Sequence, residues 1–233
     1  MSIHVDASPA ASFLGGQGQG KSAAMLAQLI QRKPDYAYII DPVQGLPANL
    51  YIDNNMEDLR EALKDIAKRI NATEEGEESG ETYVLSFAPA TETAKEASRI
   101  IADHVKAYGG LYIIDEAHRV VPVTDRSNPI IDIAKRGRHY GAAVWVGSQR
   151  PADVSRDITA GSERFMFWHD EARDLAYIRE VLGPGGVDIV EKLKPLEYLY
   201  KHNRTGYLGR IVFEKDTPVC MKVKDIDLGG LRG

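Results

Sequence analysis

Residues 15–22 read Gly15-Gly16-Gln17-Gly18-Gln19-Gly20-Lys21-Ser22, and this stretch decides the fold. It matches the pattern G-x-x-x-x-G-K-[ST]. Its glycines let the backbone curl so that successive N–H groups point inward at phosphate oxygens. A helix beginning near Lys21 aims the positive end of its dipole at the same anion. In such a loop Gly15, Gln17, Gly18, Gln19 and Gly20 form the cradle and Lys21 reaches the β- and γ-phosphates of ATP. The Ser22 hydroxyl ligates Mg2+. The flanking sequence suits the motif. Residues 11–14, apolar but for Ser12, read as a strand, and residues 21–31 read as a helix with Met25, Leu26, Leu29 and Ile30 at helical spacing.

Outward from the loop, strand and helix alternate, which predicts an α/β fold with a parallel sheet covered on both faces. Strands are expected at 36–40, 82–87, 111–114, 142–147 and 163–168. Helices are expected at 56–70, 91–107, 130–138 and 171–182. Residues 196–201 and 207–213 look like a carboxy-terminal strand pair. Residues 73–81 carry five glutamates and no apolar side chain, so they read as a solvated loop.

Two further stretches carry chemistry. Leu111-Tyr112-Ile113-Ile114-Asp115-Glu116 is an apolar strand ending in two carboxylates. Beside a phosphate loop, Asp115 suits an Mg2+ ligand and Glu116 the general base that deprotonates the attacking water. The strand at 142–147 ends in Ser148-Gln149-Arg150-Pro151. There Gln149 is either a sensor of the γ-phosphate or a turn amide. Lys135-Arg136-Gly137-Arg138-His139 is the densest basic run. Spacing alone reads it as a solvated helix end, with an arginine reaching a neighbouring subunit's nucleotide as the alternative. His118 reads as a local hydrogen-bonding partner, Trp145 and Trp168 as packing, and Asp41-Pro42 as a turn.

Composition bounds the rest. The chain has 233 residues, is 43% hydrophobic and 27% charged, and carries a net charge of −5. These values suit one globular α/β domain and argue against a basic nucleic-acid coat protein. The charge is uneven: residues 1–116 hold 10 basic and 18 acidic side chains, and residues 117–233 hold 19 and 16. A single cysteine, Cys220, excludes an internal disulfide. The first residues lack a signal-peptide pattern, and no apolar run approaches the ~20 residues that span a bilayer.

Taken together, GGQGQGKS at 15–22, LYIIDEAHR at 111–119 and KRGRHYGAAVWVGSQRPADV at 135–154 resemble the HerA/FtsK superfamily of P-loop ATPases, the ring-forming DNA pumps. The resemblance spans about residues 11–169. It implies a single RecA-like domain using ATP and Mg2+, with Gln149 as the sensor. Arg138 takes the place of the arginine finger that acts across a subunit interface, with Arg136 as the fallback. With the phosphate loop beginning at residue 15, the expected organisation is one domain over 1–233. Its motor core is 11–169 and its extension 170–233. This bare core looks like the genome-packaging ATPases of tailless, internal-membrane-containing icosahedral viruses.

The expectation is ATP hydrolysis coupled to translocation of double-stranded DNA into a preformed capsid by a homo-oligomeric ring, most simply a hexamer. Capsid vertex or portal proteins are the expected partners, and the host cytoplasm and packaging vertex the expected location. Arg119 and Arg126, in the loop after the acids, are candidates for facing the pore. Two alternatives remain: a cellular HerA-like translocase working with a nuclease, and a nucleotide-switched assembly protein that moves no DNA.

Overall fold

The computed structural model describes residues 10–42, 44–72, 82–121, 124, 128–203 and 205–227. The acidic stretch 73–81 and Arg126 lie outside the described residues. In chain order the elements are β1 (Ala10–Leu14), α1 (Lys21–Arg32), β2 (Tyr36–Ile40), β3 (Leu50–Asp53), α2 (Met56–Ala72), β4 (Tyr83–Ala88), α3 (Ala94–Tyr108) and β5 (Gly110–Ile114). They continue with α4 (Pro129–Arg136), β6 (Ala142–Ser148), α5 (Arg156–Thr159), β7 (Glu163–Met166), α6 (Ala172–Leu182), α7 (Pro184–Val190), β8 (Glu197–His202), β9 (Thr205–Glu214) and β10 (Thr217–Asp225). Ten strands form one sheet in the order β10-β9-β8-β7-β1-β6-β5-β2-β4-β3. The seven strands from β7 to β3 are parallel. Strands β8, β9 and β10 run antiparallel beyond β7.

Side-chain alternation along the strands builds two cores, one on each face. Ala11 and Phe13 of β1, with Ile39, Ile113, Trp145 and Phe165, pack under α1 through Ala24, Met25, Ala27 and Leu29. Tyr38, Leu85, Tyr112 and Val144 face the other way, against Leu59 and Leu63 of α2, Ile101 and Val105 of α3, and Ile130 and Ile133 of α4. Leu14, Met166 and Leu199 extend that second face under α6 and α7. Central strands buried on both sides explain the unbroken apolar runs Tyr36–Ile40 and Leu111–Ile114.

The structure departs from the sequence expectations in several places. Ile30 is 42% exposed; Met25 and Leu29 are buried as expected, and small Ala24 and Ala27 with Gln28 complete the inner face of α1. The helix at 130–138 stops at Arg136. It opens on the Asn128 cap and Pro129, and a 3-10 turn from Gly137 to Tyr140 follows, closed by Gly141 in the left-handed region. Strand β7 ends at Met166, two residues early. The strand pair β8–β9 is joined by a third strand, β10, and all three belong to the main sheet. Two elements lacked a readable signal. Only Ile52 of edge strand β3 is buried. Helix α7 contains Gly185-Gly186, and Gly186 is held so close to Leu182 that a Cβ would sit 2.2 Å from that residue's Cβ.

Gly209 of β9 lies opposite Tyr198 of β8, and the aromatic ring covers it. A Cβ there would fall 2.2 Å from the ring, so Gly209→Ala should cost about 1–3 kcal/mol through overpacking. Thermal unfolding checks this. A midpoint equal to that of the parent would show that the ring is free to move.

Candidate active site

The phosphate loop is clamped by the strands on either side of β1. The Gly15 N–H donates to the Ser148 carbonyl at the end of β6 (3.1 Å), and the Gly16 N–H donates to the Trp168 carbonyl just past β7 (2.9 Å). On its far side the Gln19 carbonyl accepts from the Leu196 N–H (3.0 Å). Gly15 is required by close approach, because a Cβ there would lie 2.4 Å from the Phe167 Cβ. Gly18 and Gly20 hold positive φ of 71° and 107°, which curls the loop over the start of α1. That helix begins without a side-chain cap and without an acid in its first turn, leaving its positive end open to an anion.

Lys21 is buried and donates from Nζ to the Gly15 and Gly16 carbonyls, both at 2.9 Å. Burial lowers its pKa, while Asp115 and Glu116 oppose the shift. Asp115 follows β5 and is 6% exposed. Burial pushes its carboxyl up to about 6, with Asp41 and Glu116 adding to the rise and the Glu116 N–H and Lys21 opposing it. Its neighbour across the sheet edge must be glycine: a Cβ on Gly147 would stand 2.6 Å from Asp115 Oδ1.

Glu116 sits in the left-handed region (φ 53°, ψ 45°), a conformation costly for a non-glycine residue and typical of functional positions. The turn brings its Oε1 to accept from Gln149 Nε2 at 2.5 Å. Its Oε2 lies 3.3 Å from His118 Nδ1, which is also 3.3 Å from Ser148 Oγ. Burial lowers the His118 pKa. Strand β6, which Gln149 follows, lies between the phosphate-loop strand β1 and the acid-bearing strand β5. That order is what lets Gln149 meet Glu116.

Two residues near the site were not singled out by sequence. Asp41 was read as part of a turn, yet its carboxylate is fully buried at the end of β2 and accepts from the Leu46 N–H at 3.0 Å. Its strand-end position before Pro42 was the available signal. His169 is also buried. Burial and the charge on Lys21 lower its pKa to about 4, so it is neutral at neutral pH. Its Nδ1 is 3.9 Å from Asp174 Oδ2, and Asp174 Oδ1 accepts from the Ala152 N–H. Nothing local in the sequence marks this link between the phosphate loop and the segment after Gln149. Trp168, expected only to pack, lies over Gly16.

The basic run stands elsewhere. Arg138 lies in the 3-10 turn before β6, whereas Gln149 follows that strand. Seven residues separate the two ends, roughly 23 Å of extended chain, so Arg138 faces away from its own phosphate loop. It is exposed and has no ion pair among the described residues, while Arg136 is bound to Asp132. Arg119 is exposed, just beyond the acids.

No protein-family model matches the chain. Over 109 residues it is 28% identical to the probable DNA double-strand break repair helicase HerA of Methanocaldococcus jannaschii. That match covers 44% of this chain and 22% of that protein, so it spans less than a quarter of the relative. Among solved structures the chain is similar to the genome packaging NTPase B204 from Sulfolobus turreted icosahedral virus 2 in complex with AMPPCP. The TM-score is 0.63 at 18% identity, covering 88% of this chain and 98% of that one. It is also similar to VirB4 of Thermoanaerobacter pseudethanolicus, with a TM-score of 0.52 at 14% identity, covering 92% and 88%. The chain has the RecA-like P-loop fold and resembles the HerA/FtsK-type ATPases, including the viral packaging enzymes.

Asp132 organises the basic run. It binds Lys106 Nζ (2.7 Å), Tyr140 Oη (2.9 Å) and Arg136, and these contacts hold its pKa down at about 2, that of Lys106 foremost. A depressed carboxylate stabilises the fold above its unfolded pKa near 4 and loses that effect as pH falls through 2. Asp132→Asn should therefore lower the thermal midpoint at pH 7 by about 2–4 °C. The gap should narrow steadily below pH 4, as a series of unfolding curves would reveal.

Proposed function

We propose that this chain is an ATP-hydrolysing motor that translocates double-stranded DNA as a ring, and that it packages a viral genome into a preformed capsid. The observation that carries the reading is the Gln149–Glu116 contact at 2.5 Å, on strand ends that also frame the phosphate loop. A base held by a sensor amide at that edge suits coupled hydrolysis better than passive nucleotide binding.

The loop N–H groups and Lys21 would hold the ATP phosphates, Lys21 exchanging its two carbonyl contacts for phosphate oxygens. The site fits Mg2+: Ser22 and Asp115 are hard oxygen donors, and Gly147 leaves room for the carboxylate. When bound, the ion would neutralise phosphate charge. Glu116 would take the proton from the attacking water at a carboxylate oxygen, with Gln149 orienting that carboxylate. Gln149 would sense through its amide whether the γ-phosphate is present. The change would pass to the segment after it, which is tied back through Arg150 N–H to Ser148 Oγ and Ala152 N–H to Asp174. Arg138, remote from its own site, would complete the neighbouring subunit's site in a ring, a hexamer on the simplest reading. The single domain over 1–233, the capsid or portal partners and the packaging vertex belong to the same proposal. Among the described residues no helix is long and apolar enough to cross a membrane.

The B204 likeness favours packaging. The 28% match to HerA favours a second reading, a DNA-end-processing translocase dependent on a nuclease partner. ATPase rate measured with and without double-stranded DNA at two salt concentrations tests the motor. DNA should stimulate the rate at low salt and lose its effect at high salt, since the contacts are to phosphates. A rate indifferent to DNA at low salt would instead identify a nucleotide-switched assembly protein.

Three substitutions test the residue roles. Lys21→Ala should abolish turnover. Glu116→Gln should bind ATP and hydrolyse it at least about 100-fold more slowly. Arg138→Ala should lose turnover by about 1000-fold and regain part of it when mixed with Glu116→Gln subunits. Failure of that rescue would place Arg138 outside the neighbour's site.

A further inference from the structure

Strand β7 has a different chemistry at each end. Its last residues meet the phosphate loop. Its start opens on a cavity of about 400 Å³ whose lining includes Arg156, Ser162, Arg164, Tyr177, Glu180 and Lys201. Four residues of β7, roughly 13 Å of strand, separate this cavity from the nucleotide edge. Arg164 and Lys201 are direct cross-strand partners of β7 and β8, so both project to the face that lies under α6. Each is more than nine-tenths buried. Two like charges placed opposite each other in an antiparallel pair repel, and burial strips them of water.

Each member of the pair donates to a backbone carbonyl. Arg164 Nη2 donates to the Ala160 carbonyl (2.7 Å) and Lys201 Nζ to the Val181 carbonyl (2.6 Å). Arg164 Nε is buried and has no hydrogen-bond partner among the described residues. Arg156 stands at the mouth, stacked 4.3 Å over the Tyr177 ring and bridged to Glu180 at 2.8 Å. Among the described residues that line the cavity are three cations and one carboxylate, Glu180. Tyr177 interacts with the Arg164 guanidinium, but Nε keeps no acceptor among the described residues, and guanidinium forks match the oxygens of phosphate.

We propose that this cavity is a phosphate-binding site, in which a phosphate group accepts from Arg164 and Lys201 and displaces Glu180 from Arg156. The class of ligand is a phosphodiester of a nucleic-acid backbone or a free phosphate compound. The site does not rest on the nucleotide reading, because it shares no residue with the phosphate loop.

The test follows the Arg164 Nε–H resonance in proton–nitrogen NMR of the full chain, at constant ionic strength. One arm titrates inorganic phosphate against chloride, and the other a 20-base-pair duplex. Phosphate should shift the resonance saturably where chloride does not, and should do so equally in Lys21→Ala. Arg156→Ala, a surface change that leaves the buried pair intact, should weaken binding about tenfold. Glu180→Gln should tighten it by removing the competing carboxylate. A shift in the duplex arm that phosphate competes away supports the site with a nucleic-acid backbone as its source. A shift with phosphate alone supports it with a free phosphate compound. A resonance unmoved in both arms, or a shift insensitive to both Arg156→Ala and Glu180→Gln, overturns the proposal and leaves Arg164 as a brace for the Ala160 carbonyl.

Discussion

The approach of Gly15 to Phe167 is the constraint on which the site depends. β1 lies between two parallel strands that end at the same edge, so the carbonyls at the ends of both neighbours are positioned to hold the loop's first two N–H groups. The loop can lie that close only because residue 15 has no Cβ. With Gln19 also held by Leu196, the cradle is preformed on three sides, and the entropy of ordering it is lost on folding rather than on binding. The strands that follow β7 thus help to shape the loop and form one sheet with it.

Once the loop is set, the electrostatics of the edge follow. Asp41, Asp115 and Glu116 converge from β2 and β5 on a single buried lysine, with Gln149 arriving from β6. Mutual repulsion and burial work against this crowd, which is why the Asp115 carboxyl rises. The strand ends hold it in place: Asp115 in the space left by Gly147, Asp41 on the Leu46 N–H, Glu116 in a left-handed turn. Such an arrangement is strained as a resting structure and suited to a site that receives cations and phosphates together.

The opposite edge carries the complementary charge. Arg138, Arg156, Arg164 and Lys201 gather at or near the starts of β6 and β7, remote from the acids. A net charge of −5 therefore describes neither edge, although Asp132, Asp157 and Glu180 pair with cations of the basic one. Because a parallel sheet places every strand start on one side and every strand end on the other, a single chain can present an acidic, phosphate-handling edge and a basic one.

The residues whose chemistry depends on local order were legible in the sequence. Gly15 to Ser22 must be contiguous to wrap a phosphate, Asp115 and Glu116 must end an apolar strand, and Gln149 must sit at a strand tip. The buried strands were equally clear, because burial on both faces leaves an unbroken apolar run. Other features depend on partners distant in the chain and were not legible. Edge strand β3 and the outer strand β10 bury too few side chains to signal themselves. Helix α7 forms against its propensity because Gly186 packs on Leu182. Asp41 resembles a turn residue until β4 and β5 enclose it, and His169 is ordinary until α6 brings Asp174 beside it. Arg164 and Lys201 are thirty-seven positions apart and become a pair only in the register of β7 on β8. The sequence by itself determined the candidate phosphate loop and the acid pair, since each is written in consecutive residues. Tertiary structure alone decided which strand lies between phosphate and acid, and which charges share an edge, because strand order and register come from packing across the whole sheet.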